Sequence, residues 1–121
     1  MKSSENAIIV NSAIGGSTNA PPHLQAIARH AGVSLSVNDW QKIGFQIPLL
    51  LNMQPAGEFL GEAFFRSGGV PAIMGELYEA KLLHENPLNV NGKSLRENIK
   101  NHKKKSFVQT VSFMRIKNQN N

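Results

Sequence analysis

The sequence contains no cysteine, so it can form no disulfide and offers no thiolate to a reaction, a metal ion or an iron–sulfur cluster. Long apolar runs are also absent. Residues 47–51 are interrupted by Pro48 and fall far short of the roughly 20 apolar residues that a membrane helix needs. The apolar residues 7–10 are too few for a signal peptide, and polar Asn11 and Ser12 follow at once. We therefore expect no membrane span and a cytoplasmic location.

Acidic residues are missing from the last 21 positions, which hold five lysines and arginines. Residues 1–100 carry eight basic and eight acidic residues, so the formal charge of +5 lies entirely in residues 101–121. A nucleic-acid-binding domain normally has a basic face across its folded surface, and Lys103, Lys104 and Lys105 are more typical of a solvated run. We do not expect nucleic acid as a partner. The alternative is a small binding protein that uses its basic tail on nucleic acid or an acidic partner.

The 121 residues that are present suit one modest domain rather than two. With 40% apolar and 17% charged residues, the composition is that of a globular protein rather than a disordered one. A domain of this size buries about two-thirds of the surface of its unfolded chain. We therefore expect a single core.

Helical patterns fill most of residues 1–100. Residues 5–14 are apolar enough for a helix or a buried strand, and Gly15 and Gly16 end them. Apolar residues at helical spacing follow two prolines and continue to Gly32, as in a capped amphipathic helix. Capping boxes at Ser36/Asp39 and Ser94/Glu97 begin two more helices, and residues 58–65 and 71–84 supply the others.

Extended segments are few. Residues 49–53 are typical of a short buried strand, and residues 88–92 of an extended piece that enters an Asn-Gly turn. No internal repeat or linker is visible. We predict an α/β fold class, as a predominantly helical fragment of a larger α/β domain.

Several motifs in unbroken order, between about residues 5 and 100, resemble the N-terminal domain of the dihydroxy-acid and phosphogluconate dehydratase family. They are Gly15-Gly16-Ser17-Thr18-Asn19, Ile47-Pro48-Leu49, Gln54-Pro55-Ala56-Gly57, Arg66-Ser67-Gly68-Gly69-Val70-Pro71 and Leu88-Asn89-Val90-Asn91-Gly92-Lys93. Asp39-Trp40-Gln41 and residues 51–57 look most like the sugar-acid branch, which acts on aldonic acids such as arabinonate or xylonate.

The resemblance implies a hydro-lyase that converts a 2,3-dihydroxy acid into a 2-keto-3-deoxy acid. In that family an iron–sulfur cluster acts as Lewis acid, a magnesium ion holds the carboxylate end of the substrate, and a serine of a C-terminal domain takes the proton. None of these groups maps onto this sequence, so we assign it no catalytic residue, no metal ligand and no cofactor of its own. We expect the chain to be inactive alone and its full-length parent, which binds the aldonic acid, to be a homo-oligomer.

The glycine-rich turn is the remaining candidate for ligand contact. Gly16, Ser17, Thr18 and Asn19 stand at the start of a helix, where backbone N–H groups and the helix dipole favour an anion. They could bind the carboxylate or hydroxyls of the substrate. Plain helix capping explains the same residue types without any ligand and is the interpretation that the sequence favours, with a ligand-facing role as the alternative.

Three further residues invite a functional interpretation. His23 and His30 lie seven positions apart, whereas metal-binding pairs usually lie three or four apart, so we predict no metal site there. Arg66 precedes two glycines and is more typical of a surface arginine at a helix end than of a carboxylate ligand.

The resemblance to the dehydratase family ends near residue 100, where the chain changes from no net charge to a basic tail. We therefore divide the chain into residues 1–100, a partial dehydratase N-terminal domain, and residues 101–121, a basic tail unlike the family. A frameshift or a gene fragment with a foreign end would produce both changes together. A remnant without function is the third alternative. We would expect such a remnant to be unstable, because faces once covered by the rest of an enzyme would be exposed.

Overall fold

The computed structural model describes residues 1–55 and 57–100, and residues 101–121, including the basic tail, lie outside that range. The helices of the described part are α1 (Lys2–Ala13), α2 (Ala20–His30), α3 (Val37–Gly44), α4 (Gly61–Arg66), α5 (Gly69–Glu79) and α6 (Leu95–Lys100). Two single bridges, Met53–Phe59 and Leu88–Ser94, pair extended segments within this part. The predicted class, a mainly helical piece of an α/β domain, is confirmed. None of these helices is long and apolar enough to cross a membrane.

Helix α1 lies at the centre, in contact with α2, α3 and α5, while α5 also contacts α4 and α6. The ambiguous apolar pattern of residues 5–14 belongs to a helix, since α1 runs to Ala13, and Ile8, Ile9 and Ala13 of this helix are buried. The core around them comes from four other parts of the chain. Its fully buried members include Leu50, Leu51, Ile73 and Leu77. Each such side chain contributes about 1.5–3 kcal/mol of burial free energy.

Residues 49–53 form no regular strand within the described residues, although two of them take part in single β-bridges. Leu50 and Leu51 are 1% and 2% exposed, as expected for a strand in a core, and Leu51 and Met53 each take part in a single β-bridge, that of Met53 with Phe59. The backbone N–H of Leu50 instead donates to the carbonyl of Ala13 at 2.7 Å. The segment therefore satisfies one of the free carbonyls at the end of α1 and places two leucines beside that helix.

Three helices end with the same pair of backbone hydrogen bonds, the Schellman motif, in which one residue takes a left-handed conformation. Gly15 (φ +63°) has this role after α1 and Gly32 (φ +71°) after α2. After α5 the left-handed residue is Lys81 (φ +59°), where Lys81 N–H donates to Tyr78 and Leu82 N–H donates to Leu77. This turn ends α5 at Glu79. The sequence pattern predicted a helix that continues five residues further, to His84.

The prediction for α4 was also too long. Its start at Glu58 is wrong because the Glu58 N–H donates to the Asn52 side-chain oxygen at 2.8 Å, and the Phe59 carbonyl accepts from Gln54. Both groups therefore close a loop, and α4 begins only at Gly61.

The capping box predicted at Ser36 is present. Asp39 accepts from the Ser36 backbone N–H at 2.8 Å and from the Ser36 hydroxyl at 3.0 Å. The backbone bond, then the hydroxyl bond, and finally the charge of Lys42 lower the pKa of Asp39 below its ordinary value. At α6, the Ser94 hydroxyl likewise accepts from the Glu97 backbone N–H at 3.3 Å.

Asn6 joins the first helix to a segment 78 residues away. Its side-chain NH2 donates to the His84 carbonyl at 2.8 Å, and its side-chain oxygen accepts from the His84 N–H at 2.8 Å. The neighbouring Glu5 carboxylate lies 2.5 Å from His84 Nε2. One helical turn thus holds both the backbone and the ring of His84.

Replacing Asn6 with alanine should strongly destabilise the protein. The substitution leaves the His84 N–H and carbonyl without their partner, and each lost partner costs about 1–3 kcal/mol. We expect the free energy of unfolding in urea to fall by about 2–4 kcal/mol. Asn38→Ala, at an exposed position in α3, is the matched control and should change it little. Equal losses in the two variants would contradict the assignment.

Replacing Lys81 with glycine should stabilise the protein. A left-handed residue with a Cβ atom costs about 1–2 kcal/mol, whereas glycine adopts this conformation freely. We expect a gain of about 1 kcal/mol in the free energy of unfolding for Lys81→Gly. Lys81→Ala removes the charge but keeps the Cβ atom, so a gain in both variants would mean that the charge, not the backbone, is responsible.

Candidate functional site

The turn at residues 15–19 begins where α1 ends. The N–H of Gly15 donates to Ser12 at 3.2 Å and that of Gly16 to Asn11 at 2.9 Å. A Cβ atom on Gly16 would lie 2.0 Å from the Asn11 side-chain oxygen, and one on Gly15 would lie 3.1 Å from a methyl of Leu49. The two glycines therefore meet separate constraints: Gly15 has a left-handed backbone, whereas Gly16 is approached by the end of the flexible Asn11 side chain.

The start of α2 has few free backbone donors. The N–H groups of Asn19 and Ala20 donate to the hydroxyl and carbonyl oxygens of Ser17, both at 3.1 Å. Pro21 and Pro22 follow and have no N–H at all. An anion would therefore meet fewer backbone donors here than at an ordinary helix N-terminus.

Side chains are what this turn offers to a ligand. Ser17, Thr18 and Asn19 are all exposed, and they present two hydroxyls and one amide within three consecutive residues. The Ser17 hydroxyl accepts one hydrogen bond from the backbone N–H of Asn19, the N-cap residue of α2, and can still donate, while α2 has no side-chain cap hydrogen bond. Substrate binding by Gly16, Ser17, Thr18 and Asn19 remains a prediction, with its chemistry now assigned mainly to the three side chains.

The other residues singled out in the sequence do not join this turn. His23 and His30 are exposed on α2. No group of three histidine or carboxylate side chains within residues 1–55 and 57–100 is placed to hold a metal ion. Arg66 is exposed and pairs with Glu62 one helical turn earlier, at 2.5 Å, in agreement with a surface arginine at a helix end.

A cavity that no sequence motif indicated lies beside the left-handed turn after α5. It has a volume of about 540 Å³, within the range of about 300–1,000 Å³ that is usual for small-molecule sites. Lys2, Tyr78, Lys81 and His84 contribute to its lining, together with the carboxylates Glu79 and Glu85. Because acidic and basic groups share the lining, the cavity has no clear preference for an anion or a cation.

A second cavity, of about 260 Å³, lies between α1, α5 and the hairpin that precedes α6. Its lining is mainly apolar and includes Val10, Met74 and Leu95. Asn89 also lines this cavity, and its side-chain NH2 nitrogen, which is inaccessible to solvent, has no hydrogen-bond partner among the described residues. An unpaired buried donor costs about 1–3 kcal/mol. The sequence carried a signal for it, since Asn89 stands between two apolar residues in an extended segment.

Residues 1–98 match the dihydroxy-acid/6-phosphogluconate dehydratase N-terminal family. The chain belongs to this family. Its relatives include D-xylonate dehydratase of Caulobacter vibrioides, 53% identical over 95 residues (78% of this chain and 16% of the relative). L-Arabinonate dehydratase of Rhizobium leguminosarum bv. trifolii is 47% identical over 96 residues (79% and 17%). A dihydroxy-acid dehydratase of Prochlorococcus marinus is 46% identical over 96 residues (79% and 17%).

These relatives bear the names of dehydratases, which are hydro-lyases, and two of the three are named for sugar acids. The resemblance inferred from the motifs is therefore confirmed at the level of the family. The chain spans only about a sixth of the length of the relatives it matches.

Replacing Gly16 with alanine should destabilise the turn because the new methyl group would overlap the Asn11 side chain. The obstructing atoms lie at the end of the flexible Asn11 side chain, which can turn away, so we expect a loss of at most about 1 kcal/mol, the low end for overpacking. The double variant Asn11→Ala/Gly16→Ala removes the obstacle and should recover most of the loss in a urea or thermal unfolding experiment. If the two substitutions instead add independently, Asn11 is not the reason that position 16 requires glycine.

Proposed function

We propose that the chain supplies part of a sugar-acid dehydratase, an enzyme that converts an aldonic acid such as D-xylonate or L-arabinonate into a 2-keto-3-deoxy acid. The observation that carries the proposal is the 53% identity to a D-xylonate dehydratase over 78% of the chain. The motifs of the sugar-acid branch, Asp39-Trp40-Gln41 and residues 51–57, support the same choice of substrate class.

The chain on its own does not fit the cofactors that the family resemblance implies. An iron–sulfur cluster requires cysteine thiolates, and the sequence has none. A magnesium site is usually built from carboxylate oxygens, and the described residues contain no suitable group. We therefore derive no catalytic step through either group, and we propose that the chain by itself is inactive.

The contribution of this chain to catalysis, in our proposal, is to orient the substrate. The hydroxyls of Ser17 and Thr18 and the amide of Asn19 are exposed and adjacent, so they can donate hydrogen bonds to a carboxylate or accept from sugar hydroxyls. Schellman bonds fix the turn to the end of α1, and the Asn19 and Ala20 N–H bonds fix it to the start of α2. A rigid mounting of this kind favours a single substrate orientation.

A chimera can test the proposal, because the rest of a related dehydratase surrounds the grafted stretch and makes up for the cofactor sites that this chain lacks. The matching 95-residue stretch of the Caulobacter vibrioides D-xylonate dehydratase is replaced by the equivalent residues of this chain, and formation of 2-keto acid from D-xylonate and L-arabinonate is measured. We expect the chimera to be active and the isolated 121-residue chain to be inactive under the same conditions. Activity from the isolated chain, or a folded chimera that acts on neither acid, would overturn the proposal.

Within the chimera, Thr18→Val separates substrate contact from helix capping, because no hydrogen bond of the Thr18 side chain contributes to the turn as described above. A lost hydrogen bond to a charged group is worth about 1.5–3 kcal/mol, so kcat/KM should fall at least about tenfold. Ser34→Ala removes another exposed hydroxyl, between α2 and α3, and should leave kcat/KM unchanged.

The capping interpretation predicts a different pattern. If these residues only cap α2, Ser17→Ala lowers the melting temperature of the chimera, and neither Ser17→Ala nor Thr18→Val changes kcat/KM. That outcome would remove the substrate-binding role from the turn.

A further inference from the structure

We propose that Asn91 is a site of spontaneous deamidation, at which the side-chain amide becomes a carboxylate when the hairpin of residues 88–94 opens. The step from Asn91 to Gly92 is the only Asn-Gly step in the sequence. Glycine has no Cβ atom, so its backbone nitrogen is the least hindered nucleophile that can follow an asparagine. The reaction takes place within this hairpin and does not depend on the proposed function.

The reaction exchanges ammonia for water, without oxidation or reduction. The Gly92 nitrogen attacks the side-chain carbonyl carbon of Asn91, a bond forms between these two atoms, and the bond from that carbon to Nδ2 breaks. The Gly92 proton passes through solvent to Nδ2, which leaves as ammonia, and a five-membered succinimide remains. Water then opens this ring at either carbonyl. The product is aspartate when the main-chain bond survives, and isoaspartate when the chain continues through the former side chain.

The closed hairpin holds the attacking nitrogen in a geometry that prevents ring closure. Gly92 N–H donates to the Asn89 carbonyl at 2.9 Å, the φ of Asn91 is not positive, and Gly92 itself has φ +75°. These are the features of a type I turn followed by a left-handed glycine, a common three-residue hairpin loop. At Asn91, the third residue of this turn, ψ is about 0°, so the Gly92 nitrogen eclipses the Asn91 backbone nitrogen. A succinimide instead requires it to eclipse the Asn91 Cβ atom.

Asn98 and Lys93 hold the group that is attacked. The Asn91 NH2 donates to the Asn98 side-chain oxygen at 2.8 Å, and the Asn98 NH2 donates back to the Asn91 oxygen at 3.3 Å. The Asn91 oxygen also accepts from the Lys93 N–H at 3.1 Å. Because Asn91 is exposed, the turn and these hydrogen bonds protect its side chain, rather than burial.

Opening of the hairpin releases all of these restraints together. The bond from Asn89 N–H to the Lys93 carbonyl at 2.9 Å and the single bridge between Leu88 and Ser94 close the hairpin. Short surface segments of this kind open locally without unfolding of the core. The deamidation rate of the folded protein is therefore the rate in an open chain multiplied by the fraction of molecules whose hairpin is open.

The product cannot restore the hydrogen bonds of the original hairpin. Aspartate has no NH2 to donate to the Asn98 oxygen, and isoaspartate adds one carbon to the main chain, which shifts Leu88 and Ser94 out of register. Leu95 and Ile99 of α6 follow directly and are buried in the core. We therefore expect a single chemical event in the loop to loosen the packing of α6 permanently.

Deamidation of the full 121-residue chain provides the test. The chain is incubated at mildly alkaline pH in buffer and in guanidinium chloride, and aspartate and isoaspartate at position 91 are measured by mass spectrometry after digestion. We expect the reaction to be slower in buffer. Hydrogen exchange of Gly92 N–H in the same solutions measures opening of its bond to Asn89. Folding should slow this exchange and the deamidation of Asn91 by factors of similar size.

Two variants and one control identify the restraint and the nucleophile. Asn98→Ala removes two side-chain hydrogen bonds of Asn91, so the rate in buffer should rise at least about fivefold and the rate in guanidinium chloride should not change. Gly92→Ala crowds the attacking nitrogen and should remove most of the reaction in guanidinium chloride, where the fold is absent. Asn38→Ala, exposed on α3, should leave the reaction at Asn91 unchanged in both solutions.

Equal deamidation rates in buffer and in guanidinium chloride would overturn the proposal, as would no reaction at Asn91 in guanidinium chloride. An unchanged rate in Asn98→Ala would also overturn it, provided that the circular dichroism of this variant matches that of the unaltered chain. If Asn98→Ala does not fold, the unaltered chain still decides. Deamidation in buffer that is much faster than Gly92 exchange allows would mean that the closed hairpin reacts, and would reject the gate.

Discussion

The fold depends on the burial of α1 and on the hydrogen bonds that fix its two ends. Near its start, Asn6 bonds both backbone groups of His84, and at its end the Ala13 carbonyl accepts from Leu50. Between these points Ile8, Ile9 and Ala13 are covered by other helices. Residues from the middle and the last third of the described chain thus take their positions from one helix of 12 residues. The Gly15–Asn19 turn and the apolar cavity both adjoin this helix.

The sequence predicted local features well where a short-range rule applies. The capping box at Ser36 and the glycine ends of α1 and α2 appear as expected, because each depends only on residues within one or two turns. Features that depend on distant partners were less predictable. Residues 49–53 have the composition of a strand, but whether they pair with a strand or cap a helix is decided by which carbonyl lies opposite Leu50.

The same distinction applies to the candidate sites. The residue types at positions 15–19 predicted a helix start. The structure adds that the N–H groups of Asn19 and Ala20 already donate to Ser17, so together with the two prolines they leave few backbone donors for an anion. Neither cavity could be predicted, because each is formed by segments far apart in the sequence. Lys81 gave no signal either: a lysine carries no sequence preference for the left-handed position that it occupies.

The link between Asn6 and His84 also bears on the order of events during protein synthesis. At about 5–20 residues per second, a ribosome needs about 4–16 s to add the 78 residues that separate these partners. During that interval Asn6 is without its partner, while α2, α3 and α5, which cover α1, are already being added to the chain. The hydrogen bonds between Asn6 and His84 therefore become possible only after the helices that bury α1 have been synthesised, so they can fix a packed helix but cannot start its burial.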